Sequence, residues 1–144
     1  MRRPWLLWLT LVAAALGCWV VAARGAEPRR CYTATLVSVE RVVDGDTIDV
    51  QLSVPVWLGL YADIRERVRL LDVDAWELGD PQGRGPVARR FTEAWLATAG
   101  DTQVTGCRRD NFGRFLAAIT SRTQGDLAAA LLRGGHAAPY RRAR

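Results

Sequence analysis

Val42-Val43-Asp44-Gly45-Asp46-Thr47-Ile48-Asp49-Val50-Gln51-Leu52 is the stretch on which the reading of the fold turns. From Thr47 onward apolar and polar residues alternate, with Ile48, Val50 and Leu52 on one face, which predicts a strand buried on one side. Upstream, Tyr32 to Val43 is rich in Thr and Val and reads as a longer first strand. Asp44-Gly45 between the two is a common hairpin signal. A turn alone does not account for Asp46, which shares the parity of Ile48, Val50 and Leu52 and so continues their core-facing row. A carboxylate so directed is costly unless it is paired or metal-bound.

Working outward, Ser53 to Asp63 reads as an apolar excursion around Trp57, broken by Pro55 and Gly59. Ile64 to Leu71 reads as a third strand, with Arg65, Arg67 and Arg69 sharing a face. Gly79-Asp80-Pro81-Gln82-Gly83-Arg84-Gly85 is a loop by its breakers. Pro86 suits the opening of a helix in which Val87, Phe91 and Trp95 recur every four residues, ending near Gly100. Thr102 to Cys107 and Arg114 to Ser121 are the fourth and fifth strands, and Asp126 is placed to cap a last helix, Leu127 to Arg133, before Gly134-Gly135. Three strands, a helix, two strands and a helix predict an α+β, mainly β, chain: a five-stranded OB-type Greek-key barrel with two to three helices.

The amino-terminal segment is read apart from that fold. Met1-Arg2-Arg3-Pro4 is a short cationic start, and Trp5 to Ala23 is an uncharged apolar run of nineteen residues. Residues 1–26 are therefore expected to be a signal peptide, making the protein secreted or periplasmic, or an amino-terminal membrane anchor with residues 5–23 as the tether. Lipid attachment at Cys18 is a third possibility, on a poor lipobox. Residues 27–144 form the single expected domain, of 118 residues. The whole chain carries a formal charge of +5; without Arg2, Arg3 and Arg24 it holds 17 arginines against 15 acids, or +2. A generally basic, phosphate-coating surface is thus not indicated, and any nucleic-acid affinity must come from the placement of individual arginines.

Elimination narrows the chemistry. One histidine, His136, excludes a His-cluster zinc site and weighs against a histidine-centred triad; it reads as a surface or capping residue. Two cysteines after the leader cannot build a structural zinc site, and no lysine occurs, which removes a Walker-A loop and Schiff-base catalysis. No serine sits in a Gly-x-Ser-x-Gly elbow. Carboxylates and arginines remain. They concentrate in Asp44-Gly45-Asp46-Thr47, in Arg69 to Glu77 with Asp72, Asp74 and Glu77 within six residues, and in Arg109-Asp110-Asn111-Phe112-Gly113-Arg114. The last reads as a polar turn with Gly113 at a positive φ, which leaves Arg114 at the entry of an apolar strand unexplained. Hard cations such as Ca²⁺ take about six to eight oxygen ligands, which Asp46, Asp74, a backbone carbonyl and waters can contribute.

In order and spacing these three segments, from about Tyr32 to Tyr140, resemble the staphylococcal nuclease (thermonuclease) family. Its Asp-Gly-Asp-Thr stands at 44–47, its Arg-Leu-…-Val-Asp-x-Pro-Glu as Arg69 to Glu77, its Asp-Lys-Tyr-Gly-Arg as Asp110 to Arg114, and its closing Leu-x-x-Ala-Leu-x-x-x-Gly-x-Ala as Leu127 to Ala137. The resemblance implies a calcium-dependent nuclease that hydrolyses DNA and RNA with little sequence preference and has no obligate protein partner. It implies Asp46, Asp74 and the backbone carbonyl of Ala75 as ligands of Ca²⁺, with Mg²⁺ or another divalent cation the lesser alternative. Arg69 and Arg114 would clamp the phosphate, Glu77 would act on the attacking water, and Tyr140 would stack on a base or simply pack the chain end. The alternative is a nuclease-fold module that binds nucleic acid or protein without cutting.

Two departures carry consequences. Trp76 stands where the family has Pro, so the loop carrying Glu77 is expected to be held differently. Asn111-Phe112 replaces Lys-Tyr, removing a charge and a hydroxyl. Trp57 and Tyr61, in a longer connection than the family's, are expected to pack locally rather than to stack on bases. Finally, antiparallel pairing of the first and fourth strands would bring Cys31 to Cys107, and in an exported protein a disulfide is favoured there over two thiols.

Overall fold

Alternation holds wherever a strand has one face on the core. In the computed structural model, which describes residues 31–140, β1 (Tyr32–Val42), β2 (Thr47–Trp57) and β3 (Leu60–Leu70) form an antiparallel meander. The leader, with its 5–23 run and Cys18, lies outside the described residues. β4 (Val73–Ala75) leads to helix α1 (Arg84–Thr98), followed by β5 (Thr102–Arg109) and β6 (Phe115–Ser121). A two-residue β7 (Gly125–Asp126), helix α2 (Leu127–Arg133) and β8 (Ala137–Pro139) complete the chain.

β5 pairs antiparallel with β1 and with β6, and β6 closes onto β3 in parallel, Val68 beside Phe115 and Leu70 beside Ala117. The result is a closed, mixed, five-stranded barrel of OB type with two helices. Its interior is filled by Ile48, Val50 and Leu52 of β2, Val68 and Leu70 of β3, Val104 of β5 and Ile119 of β6. β4 and β8 make a separate small ladder, Asp74 opposite Ala138. Asp126 caps α2 by accepting the Ala129 N–H at 2.7 Å.

The structure corrects three sequence expectations. Ser53 to Asp63 is not an irregular excursion: β2 and β3 run on through it, Ser53 opposite Asp63 and Pro55 opposite Tyr61. Leu58 and Gly59, both left-handed (φ 46° and 78°), make the two-residue turn that suits the twist of a hairpin. Trp57 and Tyr61 do not pack locally; they are 73% and 65% exposed. In α1, the buried face is Gly85, Ala88, Thr92 and Trp95, and Val87 is exposed. The small residues lie inward because the helix sits close on the Asp44–Asp46 turn. There the Thr92 hydroxyl donates to the Gly45 carbonyl at 2.6 Å, and a Cβ on Gly45 would stand 2.7 Å from that of Ala75. Gly45 is thus required by close approach rather than by a left-handed turn. His136 is held against Phe91, ring centroids 4.4 Å apart.

Candidate active site

The turn before β2, the end of β3 and β4 meet at Asp46. Its side chain is buried, 4% exposed. One carboxylate oxygen accepts the Ala75 N–H at 2.5 Å and lies 2.7 Å from the Arg69 guanidinium; the other accepts the Thr47 hydroxyl at 3.1 Å. The Asp46 N–H in turn donates to Asp44 at 3.1 Å. Arg69 spans the site, reaching the Asp74 carboxylate at 2.7 Å and the Val73 carbonyl at 2.9 Å. Burial pushes the Asp46 pKa up to about 7, against the opposing pull of Arg69 and the Ala75 N–H.

Glu77 follows β4 on the surface, and three contacts fix the loop it belongs to. The Trp76 indole donates to the Gly135 carbonyl at 2.9 Å, and the Arg84 guanidinium lies 3.8 Å from the centre of its ring. Gly85, in the first turn of α1, lies so close that a Cβ there would be 1.9 Å from the Glu77 carbonyl oxygen. Asp80 binds the Arg84 side chain and the N–H groups of Gln82 and Arg84, and those hydrogen bonds, from Arg84 above all, draw its pKa down to about 2. Trp76 therefore fastens this loop to α1 and to the segment after α2.

Arg114 enters β6 from the turn that begins at Asp110. Gly113 is left-handed there (φ 80°), and Asp110 accepts the Phe112 and Arg114 N–H groups and the Arg114 guanidinium, the last at 2.6 Å. Arg109 steadies the same turn from the other side, donating to the Gly113 carbonyl at 2.9 Å and to both carboxylate oxygens of the largely buried Glu66 on β3. Tyr140 is positioned by its N–H, which donates to the Asp72 carbonyl at 3.0 Å.

All of these border one cavity of about 350 Å³: Asp46, Arg69, Asp74, Ala75, Glu77, Arg114 and Tyr140 each line it. Glu77 and Arg114 also border an adjoining groove with Arg65, Glu66 and Arg67. Residues that sequence reasoning gave no role are Asp44 and Asp110, which orient Asp46 and Arg114, and Phe112, 84% exposed at the rim. The Asp-x-Asp and Asp-x-x-x-Arg spacings carried the signal for the first two.

The lining is suited to a hard cation in its chemistry. Asp44, Asp46, Asp72, Asp74, Glu77 and Asp110 line the cavity with Arg69, Arg108 and Arg114, so its wall holds excess negative charge around a buried carboxylate. Among the described residues, no group of three or more His, Cys, Asp or Glu side chains is drawn together as a preformed metal cluster, so backbone oxygens and water would make up the ligand number. No protein-family model matches the chain, and no curated protein matches it. The cavity, its two arginines and its carboxylates therefore carry the functional reading.

Proposed function

We propose that this chain is an exported, calcium-dependent nuclease of the staphylococcal nuclease type, hydrolysing phosphodiester bonds of DNA and RNA with little sequence preference. One observation supports it above the rest: three motifs far apart in sequence bring two arginines, an exposed glutamate and a buried aspartate to a single cavity. A phosphodiester repels an anionic nucleophile, and a site for its hydrolysis must supply positive charge that is already oriented. Arg69 is oriented by Asp46 and Asp74 and Arg114 by Asp110, and a guanidinium suits the planar, two-pronged contact that a phosphate offers.

Asp46, Asp74 and the carbonyl of Ala75 would hold the divalent cation, which when bound polarises the phosphoryl oxygen and offsets its charge. The remaining steps belong to the chain. Arg69 and Arg114 grip the non-bridging oxygens. Glu77, exposed on the cavity wall, takes a proton from water as the water oxygen bonds to phosphorus; one ester P–O bond breaks, and the leaving oxygen takes up a proton from solvent. Tyr140 and Phe112 offer aromatic faces for the bases at the rim. The leader, as signal or anchor, would deliver this activity outside the cytoplasmic membrane.

Cleavage of single-stranded DNA with calcium, with magnesium and with chelator tests the reading. Calcium-dependent cutting is expected, reduced at least about 100-fold in Glu77→Gln and in Arg114→Ala. No cutting by the wild type with calcium, or full activity in those variants, rejects it.

A further inference from the structure

The β2–β3 hairpin extends past the barrel, and among the described residues nothing covers it. β1 accompanies β2 only as far as Thr35 opposite Ser53; beyond that point β2 pairs with β3 alone. Every residue from Pro55 to Tyr61 is exposed, including Val56 (63%), Trp57 (73%), Leu58 (78%), Leu60 (65%) and Tyr61 (65%). A lone two-stranded hairpin is at best marginally stable in water, and contiguous exposed apolar surface of this kind marks a contact.

We propose that this hairpin tip docks on a lipid bilayer, seating Trp57, Leu58, Leu60 and Tyr61 in its interfacial layer. Three observations favour a bilayer over a protein partner. Ser53 to Ala62 holds no charged residue, and its two aromatics are Trp and Tyr, whose amphipathic rings settle at the headgroup level. Pairing within the hairpin satisfies the inward backbone groups of the tip, while its open outer edges keep it at the interface rather than in the hydrocarbon.

Chain direction supplies the third. β1 and β2 are antiparallel, so Tyr32 lies beyond Thr35 on the same side as the tip lies beyond Ser53. The described chain thus begins, at Cys31, on the tip's side, and the apolar run at residues 5–23 precedes it in sequence. Only residues 24–30 intervene before Cys31, and they carry three arginines against one glutamate, a balance that suits anionic headgroups. The tip lies eleven residues of β2, about 35 Å of strand, from the Asp46 turn, so a docked tip leaves the cavity a strand length away from it. The proposal goes beyond the nuclease reading and does not depend on it.

The experiment uses the full chain in vesicles of phosphatidylcholine and phosphatidylglycerol, with the emission of Trp57 isolated as the difference between wild type and Trp57→Phe. Blue-shifted Trp57 emission, quenched when brominated phosphatidylcholine replaces the ordinary lipid, is the expected result. Leu58→Ser/Leu60→Ser, in which both changes lie on the exposed tip, should reverse the shift and relieve the quenching while the far-ultraviolet dichroism stays unchanged. Trp57 emission that remains water-like on vesicles carrying the chain overturns the proposal. So does a blue shift already present without vesicles, which would mean that a protein surface covers the tip.

Discussion

At the level of single residues the cavity depends on groups that have little room to change. Gly85 is required because α1 crosses the backbone of Glu77: the nearest atoms to an added Cβ are the Glu77 carbonyl and the Leu78 Cα, neither of which is a flexible side-chain end. Gly85→Ala should therefore push the Glu77 loop outward, costing on the order of 1–3 kcal/mol in denaturant unfolding, with a matching fall in cleavage rate. Retained stability and activity together would show that the contact yields freely. Asp46 gives a second prediction, for the protein held in chelator. Its carboxyl titrates near 3.8 in the unfolded chain and at about 7 in the fold, so the folded state holds the proton more tightly. Stability from this group is fully present below pH 3.8. It declines as pH rises through the interval in which only the unfolded form is ionised, and is lost above about 7. Wild type should thus lose more stability between pH 5 and pH 8 than Asp46→Asn, by denaturant midpoints at the two pH values. Equal losses would mean that Arg69 and the Ala75 N–H fully offset the burial.

Among the elements, the β5–β6 turn depends on a partner that lies in neither strand. Arg109 holds both Glu66 on β3 and the Gly113 carbonyl, so it ties the barrel wall to the turn that presents Arg114. Arg109→Ala strands a largely buried carboxylate. Because Arg109 itself is half exposed, the cost should be about 1–2 kcal/mol, less than for a fully buried pair. Cleavage should fall through a loosened Arg114, and Glu66→Gln in the same chain should restore part of the stability but not the rate. The elements also explain what could be read beforehand. β2 and β6 were legible because one face of each is buried, so alternation has a cause. The hairpin beyond Ser53 was not, because with no core on either side an apolar run has no period to display. The inward face of α1 was hidden for a different reason: Ala88 and Thr92 are chosen for size against Gly45, which four-residue hydrophobic spacing does not report. At the site, the acidic clusters and Arg114 stood out in the sequence. The arrangement around Trp76 did not, since its partners, Gly135 and Arg84, are fixed only by the folded chain.

For the whole molecule, the closure of the barrel and the covalent closure of the chain fall at one place. Cys31 and Cys107 are joined in the structure, 76 residues apart in sequence, next to the Tyr32–Gly106 pair that starts the β1–β5 ladder. The loop so closed contains β1 to β4, α1 and β5 as far as Cys107, so the bridge limits how far the unfolded chain can spread. A loop of that size corresponds to a chain-entropy gain of about 4–5 kcal/mol, and bridges commonly deliver about 2–4 kcal/mol of it. Changing both cysteines to serine, which avoids leaving a lone thiol, should lower unfolding stability by about that smaller amount. Neither cysteine lines the cavity, so cleavage measured well below the melting temperature should stay within a few-fold of wild type. A loss of activity without a loss of stability would give the bridge a role in placing Arg108, the next residue and part of the cavity lining, in preference to restraining the chain.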